Sequence, residues 1–135
     1  FHQQALNLLA DPTVDIVIGS KLLNGASDRR PLMRHAASYL YSTMLRIALG
    51  FRGTDTHGLK ALRRSTVLPV VRACVIERDV FASELVLRAE RTNLKIIEIP
   101  VRVMELRPPS INLFARVPRV LGNVFQLALA LRKKS

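Results

Sequence analysis

The sequence predicts an α/β domain, and three observations carry that prediction. Val14–Ser20 (VDIVIGS) is a short β-branched run of the kind buried inside α/β sheets. Residues 31–50 and 80–93 carry apolar side chains at helical spacing. Residues 94–103 (LKIIEIPVRV) return to a partial two-residue alternation. These signals alternate along 135 residues, the length of one domain with one core.

Taken in order, FHQQALNLLA reads as the end of a helix, Asp11-Pro12 as a turn, and Val14–Ser20 as a strand interrupted by Asp15. The opening has neither a Met nor a basic leader region, so the chain is expected to start inside a domain whose N-terminal part precedes it. KLLNGASDRR is a loop signalled by Asn-Gly, with cations at both ends. Pro31 suits a helix start and Gly50 a helix stop. Between them Leu32, Met33, Ala36, Ala37, Leu40, Met44, Ile47 and Ala48 form an apolar stripe, while Arg34, Ser38 and Ser42 lie on another. GTDTHGLKALRR (Gly53–Arg64) is a polar turn entering a strand, with Lys60, Arg63 and Arg64 as the strand's cationic edge.

Ser65 suits the N-cap of the next helix, whose regularity Pro69 limits. Phe81, Leu85 and Ala89 share a face of a further helix, with Asn93 as its end signal. Pro100 cannot donate to a ladder, which places the strand over residues 94–103 near a sheet edge. ELRPPS is a rigid connector. The tail beyond it predicts an amphipathic helix, with Phe114, Val117, Leu121, Val124 and Phe125 opposite Arg116, Arg119, Asn123 and Gln126. Residues 1–109 thus read as the α/β portion and 110–135 as an amphipathic, membrane-associated helix. That tail falls short of the ~20 continuous apolar residues that span a bilayer.

An apolar fraction of 49% argues against disorder. A net charge of +11 and an isoelectric point near 11.2 favour an anionic partner: nucleic acid, a phosphorylated substrate or an anionic membrane. Trp is absent and aromatic residues make up only 5%, so a base-stacking platform is poorly supplied and no nucleic-acid partner is expected. Cys74 is the one cysteine, which excludes an internal disulfide and a metal site built on cysteines.

Four constellations are candidates for chemistry. Lys21, Arg29, Arg30 and Arg34 flank a loop between a strand end and a helix start, where α/β folds bind ligands and where guanidinium forks match phosphate oxygens; equally, they are solvated loop cations. Asp55 and His57 lie between Gly53 and Gly58; a carboxylate there can serve as base or ligand, or can form a turn with its own backbone, and the turn is the simpler local reading. Glu84 is either a buried, paired carboxylate or a surface acid pairing with Arg88 one turn on, and the surface pair is the default. The basic amphipathic tail, ending in Arg132-Lys133-Lys134, either lies on an anionic membrane or packs on its own domain.

In their order and spacing, DIVIGSK, RRPLMRHAAS, LGFRGTDTHGLKALRR and FASELVLRAERTNLKIIEIPVRV resemble the C-terminal half of family 2 glycosyltransferases, specifically the polyprenyl-phosphate sugar synthases. The resemblance covers nearly the whole chain. It implies the C-terminal portion of a GT-A, Rossmann-like domain. It further implies inverting transfer of a sugar from a nucleotide-diphosphate sugar to a polyprenyl phosphate, with Mg²⁺ or Mn²⁺, at the cytoplasmic membrane face. Asp55 would stand at the reacting centre as base or orienter. Lys21, Arg30, Arg34 and His57 would bind substrate or phosphate, and Glu84 would be a supporting acid. The family's Asp-x-Asp metal motif belongs to the N-terminal half and does not occur in this chain, which leaves His57 as the metal-ligand candidate and predicts an inactive isolated chain. Lys21 stands in place of the usual arginine, and the Asp-to-Gly spacing in DTHGLK is one residue tighter than usual. The rival reading is a basic, non-enzymatic peripheral membrane module.

Overall fold

The computed structural model describes residues 1–28, 32–77, 80–104 and 117–132. In chain order the elements are α1 (His2–Leu9), β1 (Ile16–Ser20), β2 (Ser27–Asp28), α2 (Leu32–Leu49), β3 (Leu59–Leu62), α3 (Arg64–Ala73), α4 (Phe81–Arg91), β4 (Ile96–Pro100), β5 (Arg102–Val103) and α5 (Val117–Arg132). The chain is a mixed α/β structure, as its alternating patterns predict.

Its centre is a three-stranded sheet in the order β3-β1-β4. β1 runs antiparallel to β3, with Ile18 opposite Lys60, and parallel to β4, with Ile18 opposite Glu98. All five residues of β1 are buried, because helices cover both faces of the sheet. Ile16 and Ile18 face the larger cluster with Leu45, Val67, Val70, Leu85 and Leu127 from α2 to α5. Val17 faces the other way, into a smaller cluster with Ala5, Val14 and Ile99 beside α1. The alternation in residues 94–103 follows the same division, with Ile96 on the first face and Ile97 and Ile99 on the second. β4 lies at the end of the sheet order, where Pro100 belongs. A second, two-stranded parallel pairing joins β2, inside the segment the sequence marks as loop, to β5, so the strand expected over residues 94–103 is divided into β4 and β5.

The helix stops are local in origin. Gly50 takes a left-handed φ of 72° after α2, and its N–H closes on the Arg46 carbonyl. Asn93 does the same after α4 at φ 58°; its N–H meets the Glu90 carbonyl and the Leu94 N–H meets that of Ala89. Asp15 does not interrupt β1, which begins one residue later: its Oδ2 accepts the Lys95 N–H at 2.9 Å and joins the entry of β1 to the entry of β4.

Two expectations are corrected. Ser65 is not the N-cap of α3; Arg63 occupies that position without a side-chain cap bond. Its guanidinium is drawn away to the carbonyls of Leu9, Asp11 and Val14, tying the end of α1 to the sheet rather than edging the strand toward solvent. Glu84 is not a surface acid, for its side chain is fully buried. The Arg88 pairing is present, at 2.8 Å, but inside the protein. Glu84 also accepts the N–H groups of Val75 and Ile76 where the chain leaves α3, and Arg88 Nη2 donates to the Ala130 carbonyl of α5. One carboxylate–guanidinium pair therefore joins three helices.

The tail helix packs on its own domain through Val124, Leu127 and Ala130. Leu121 and Phe125, assigned to the same apolar face by the sequence pattern, are exposed together with Leu129. Phe114, Arg116, Lys133 and Lys134 lie outside the described residues.

Candidate functional site

The segment between α2 and β3 is held from several directions before any ligand is considered. Arg46 on α2 donates both Nε and Nη2 to the Gly53 carbonyl at 3.1 Å. Glu98 on β4 accepts the N–H of Thr54 at 2.8 Å, the Thr54 hydroxyl at 2.7 Å and the N–H of Asp55 at 3.2 Å. The Thr54 hydroxyl also meets Ser20 at the end of β1. Gly58 approaches β1 so closely that a Cβ there would collide with the Gly19 carbonyl, so this crossing requires a glycine.

Within that frame Asp55 is 3% exposed. Its Oδ1 accepts the His57 N–H at 2.9 Å, and its Oδ2 pairs with Lys21 Nζ at 2.9 Å. The local turn and the buried functional carboxylate, alternatives in the sequence, are combined in one residue. Burial pushes the Asp55 carboxyl upward, but the Lys21 ammonium and the hydrogen bonds from Lys21 and His57 outweigh it, leaving the pKa below the usual aspartate value. Lys60, with Nζ on the Gly58 carbonyl at 2.9 Å, is depressed by burial, opposed by the Asp55 carboxylate and reinforced by Lys21. One acid thus sits among two cations.

Lys21, Asp55 and His57 line one cavity of about 590 Å³. Its remaining walls are mainly apolar: Met33, Ala36, Ala37, Leu40 and Met44 from α2, and Val120 and Leu121 from α5. Five residues of the α2 stripe therefore form cavity wall, while Leu32 and Ile47 of the same stripe are exposed and Leu45 is buried in the core. Lys21 directly follows β1, so the charged end sits just past the C-terminal end of a strand paired in parallel with β4.

Two other sequence candidates, Arg34 and Glu84, do not line this cavity. Arg34 is partly buried in the first turn of α2 and is not among the cavity-lining residues. Arg30 lies outside the described residues. Glu84 is in the helical core, away from the cavity lining. Burial and then the Glu84 carboxylate push the Cys74 thiol up to about 11, against the pull of Arg88, which makes it a poor nucleophile.

Among the described residues no three His, Cys, Asp or Glu side chains gather to hold a metal ion. Asp55 has one oxygen on Lys21 and the other on a backbone N–H, and His57 Nδ1 lies 3.1 Å from the Thr56 hydroxyl. This donor set does not fit Mg²⁺ or Mn²⁺, which require several oxygen ligands.

Sequence reasoning passed over Glu98, Arg46, Thr56, Ser83 and Tyr41. Glu98 had a signal, a carboxylate within the β-branched run KIIEIP. The hydroxyl groups had none, since their meeting depends on how α2 and α4 pack. Comparison with protein-family models, curated proteins and solved structures returned no match.

Proposed function

We propose that this chain is the acceptor-binding portion of an inverting GT-A glycosyltransferase, acting peripherally at the cytoplasmic membrane face. The enzyme would move a sugar from a nucleotide-diphosphate sugar to a polyprenyl phosphate. The observation that supports this best is the cavity's polarity: long apolar walls from α2 and α5 end at Lys21, Asp55 and His57. An isoprenoid tail suits the walls and a phosphate head suits the charged end. The motif order of the sequence supports the same class, and the mixed α/β sheet is compatible with it.

In this reading the acceptor phosphate oxygen forms the bond to the anomeric carbon. The bond from that carbon to the nucleotide diphosphate breaks, and its electron pair leaves on the diphosphate. A phosphate oxygen is already anionic, so no strong base is needed. Asp55, held below the ordinary carboxylate range, is a weak base and acts as an orienter: it fixes Lys21 at the phosphate position. A divalent ion would neutralise charge on the leaving diphosphate, but the described residues do not supply its ligands.

The test is vesicle binding by the 135-residue chain. Vesicles carrying polyprenyl phosphate should bind about tenfold more tightly than vesicles of equal charge carrying phosphatidylserine, and Lys21→Ala should abolish the difference. Equal binding would overturn the acceptor assignment. It would favour the second reading, a non-enzymatic peripheral membrane module, whose support is the exposed stripe Leu121, Phe125 and Leu129 on α5.

A further inference from the structure

The cavity between α2 and α5 has a floor and a rim of opposite character. At the floor Asp55 is buried and the Lys21 side chain is 15% exposed, the two paired at 2.9 Å. An ammonium carries three N–H donors, and the pairing with Asp55 Oδ2 takes one of them. Lys60 adds a second cation, close enough to Asp55 and Lys21 to feel both charges. At the rim Met33, Leu40 and Leu121 line the same cavity and are each more than half exposed. An amphiphile that satisfies both ends enters head first, and its tail leaves across those three side chains.

The volume limits how much of that tail the protein can hold. The cavity measures about 590 Å³. A non-hydrogen atom packed at liquid density takes roughly the share of one water, about 30 Å³, so the cavity holds about 20 such atoms. A phosphate group uses a quarter of them. The remainder is about 15 carbons, which is three isoprene units. Those units lie between α2 and α5, against Ala36, Ala37 and Met44 on one side and Val120 on the other. The next unit has passed the rim, where it leaves the cavity and gains little from the protein.

We propose that the cavity reads the phosphate and the first three isoprene units of its ligand, and is indifferent to the tail beyond them. This rests on the reading that the cavity receives a polyprenyl phosphate. The ligand class is then an isoprenoid monophosphate of three units or more, whose remaining tail stays in the bilayer. Head and tail are read by separate groups. Lys21 meets the phosphate, while the small α2 side chain of Ala37, partly buried in the wall, leaves width for methyl-branched units.

The test is calorimetric titration of the 135-residue chain with isopentenyl, geranyl, farnesyl and geranylgeranyl phosphates, one to four units long, below the concentrations at which they form micelles. Affinity should rise about tenfold or more with each unit up to farnesyl phosphate, and change less than about twofold from farnesyl to geranylgeranyl phosphate. Ala37→Phe fills part of the cavity and should bring the plateau down from three units to two; Ala36→Phe serves if that variant does not fold. A further gain of about tenfold at the fourth unit, or no gain between one unit and three, overturns the proposal while leaving a prenyl-phosphate site in place. So does a plateau that neither phenylalanine variant moves, which would put the tail on the exposed α5 stripe instead. Farnesol binding as tightly as farnesyl phosphate, or no binding of any of the four phosphates, overturns the acceptor reading itself and the proposal with it.

Discussion

Asp55 and Glu98 divide the work at the charged end of the cavity. Glu98 spends its carboxylate on the N–H groups of Thr54 and Asp55 and so fixes the backbone. Asp55 is then free to spend its own on Lys21 and the His57 N–H. Because the folded-state pKa of Asp55 lies below its unfolded value near 3.8, ionised Asp55 stabilises the fold. That contribution is complete above the unfolded value and is lost as pH falls through the folded one. Asp55→Asn should lower stability at neutral pH, and its deficit relative to the unmodified chain should shrink on acidification. Urea midpoints from about pH 7 down to about pH 2 check this, and a deficit that stays constant would show that the ion pair adds no pH-dependent stability.

The contrast between Asp55 and Glu84 shows why residue type alone does not identify a site. Both are buried and both are paired with a cation. Only Asp55 lines a cavity; Glu84 is enclosed by the helices it joins.

Among elements, α4 is the organising one. From Ser83 to Ala89 every residue is buried, and its Glu84–Arg88 pair reaches both the exit of α3 and the end of α5. Glu84→Ala should destabilise by about 3 kcal/mol or more, since it strands the Arg88 charge and two backbone N–H groups in the interior. Chemical denaturation measures this, and a loss below about 1 kcal/mol would show that the helix junction does not depend on the carboxylate. Much of this level was legible in the sequence. Gly50 and Asn93 end their helices because a left-handed residue terminates helical bonding locally, and Pro100 marks the sheet edge because it lacks a donor. The Ser65 cap was misread because Arg63 is held by the carbonyls of Leu9 at the end of α1 and of Asp11 and Val14 in the turn before β1, partners about fifty residues earlier in the chain. The α2 stripe was legible as apolar, but its role as a cavity wall follows from how α5 lies beside it.

At the scale of the whole molecule, a net charge of +11 accompanies exposed apolar side chains on α5. No described helix is long and apolar enough to cross a membrane. The cavity wall at Leu121 continues into the exposed Phe125 and Leu129, in a chain of net charge +11. Phe125→Glu should reduce binding to anionic vesicles about tenfold or more, with little change in unfolding temperature because that ring is 67% exposed. Co-sedimentation and thermal denaturation report the two effects separately; unaltered vesicle binding would remove α5 from the membrane contact.

The sequence by itself determined what depends on near neighbours and composition. That includes the α/β alternation, the buried β1, the helix ends, the basic charge and the turn around Asp55. Only the tertiary structure decided which polar groups face one another. Glu98 reaches across 44 and 43 positions to Thr54 and Asp55, and Ser83 across 27 to Thr56. It also decided that Glu84 is a core strut while Asp55 faces a cavity. The physical reason is that periodicity records which face of an element is apolar, whereas a carboxylate's role depends on the donors that packing brings within about 3 Å of it.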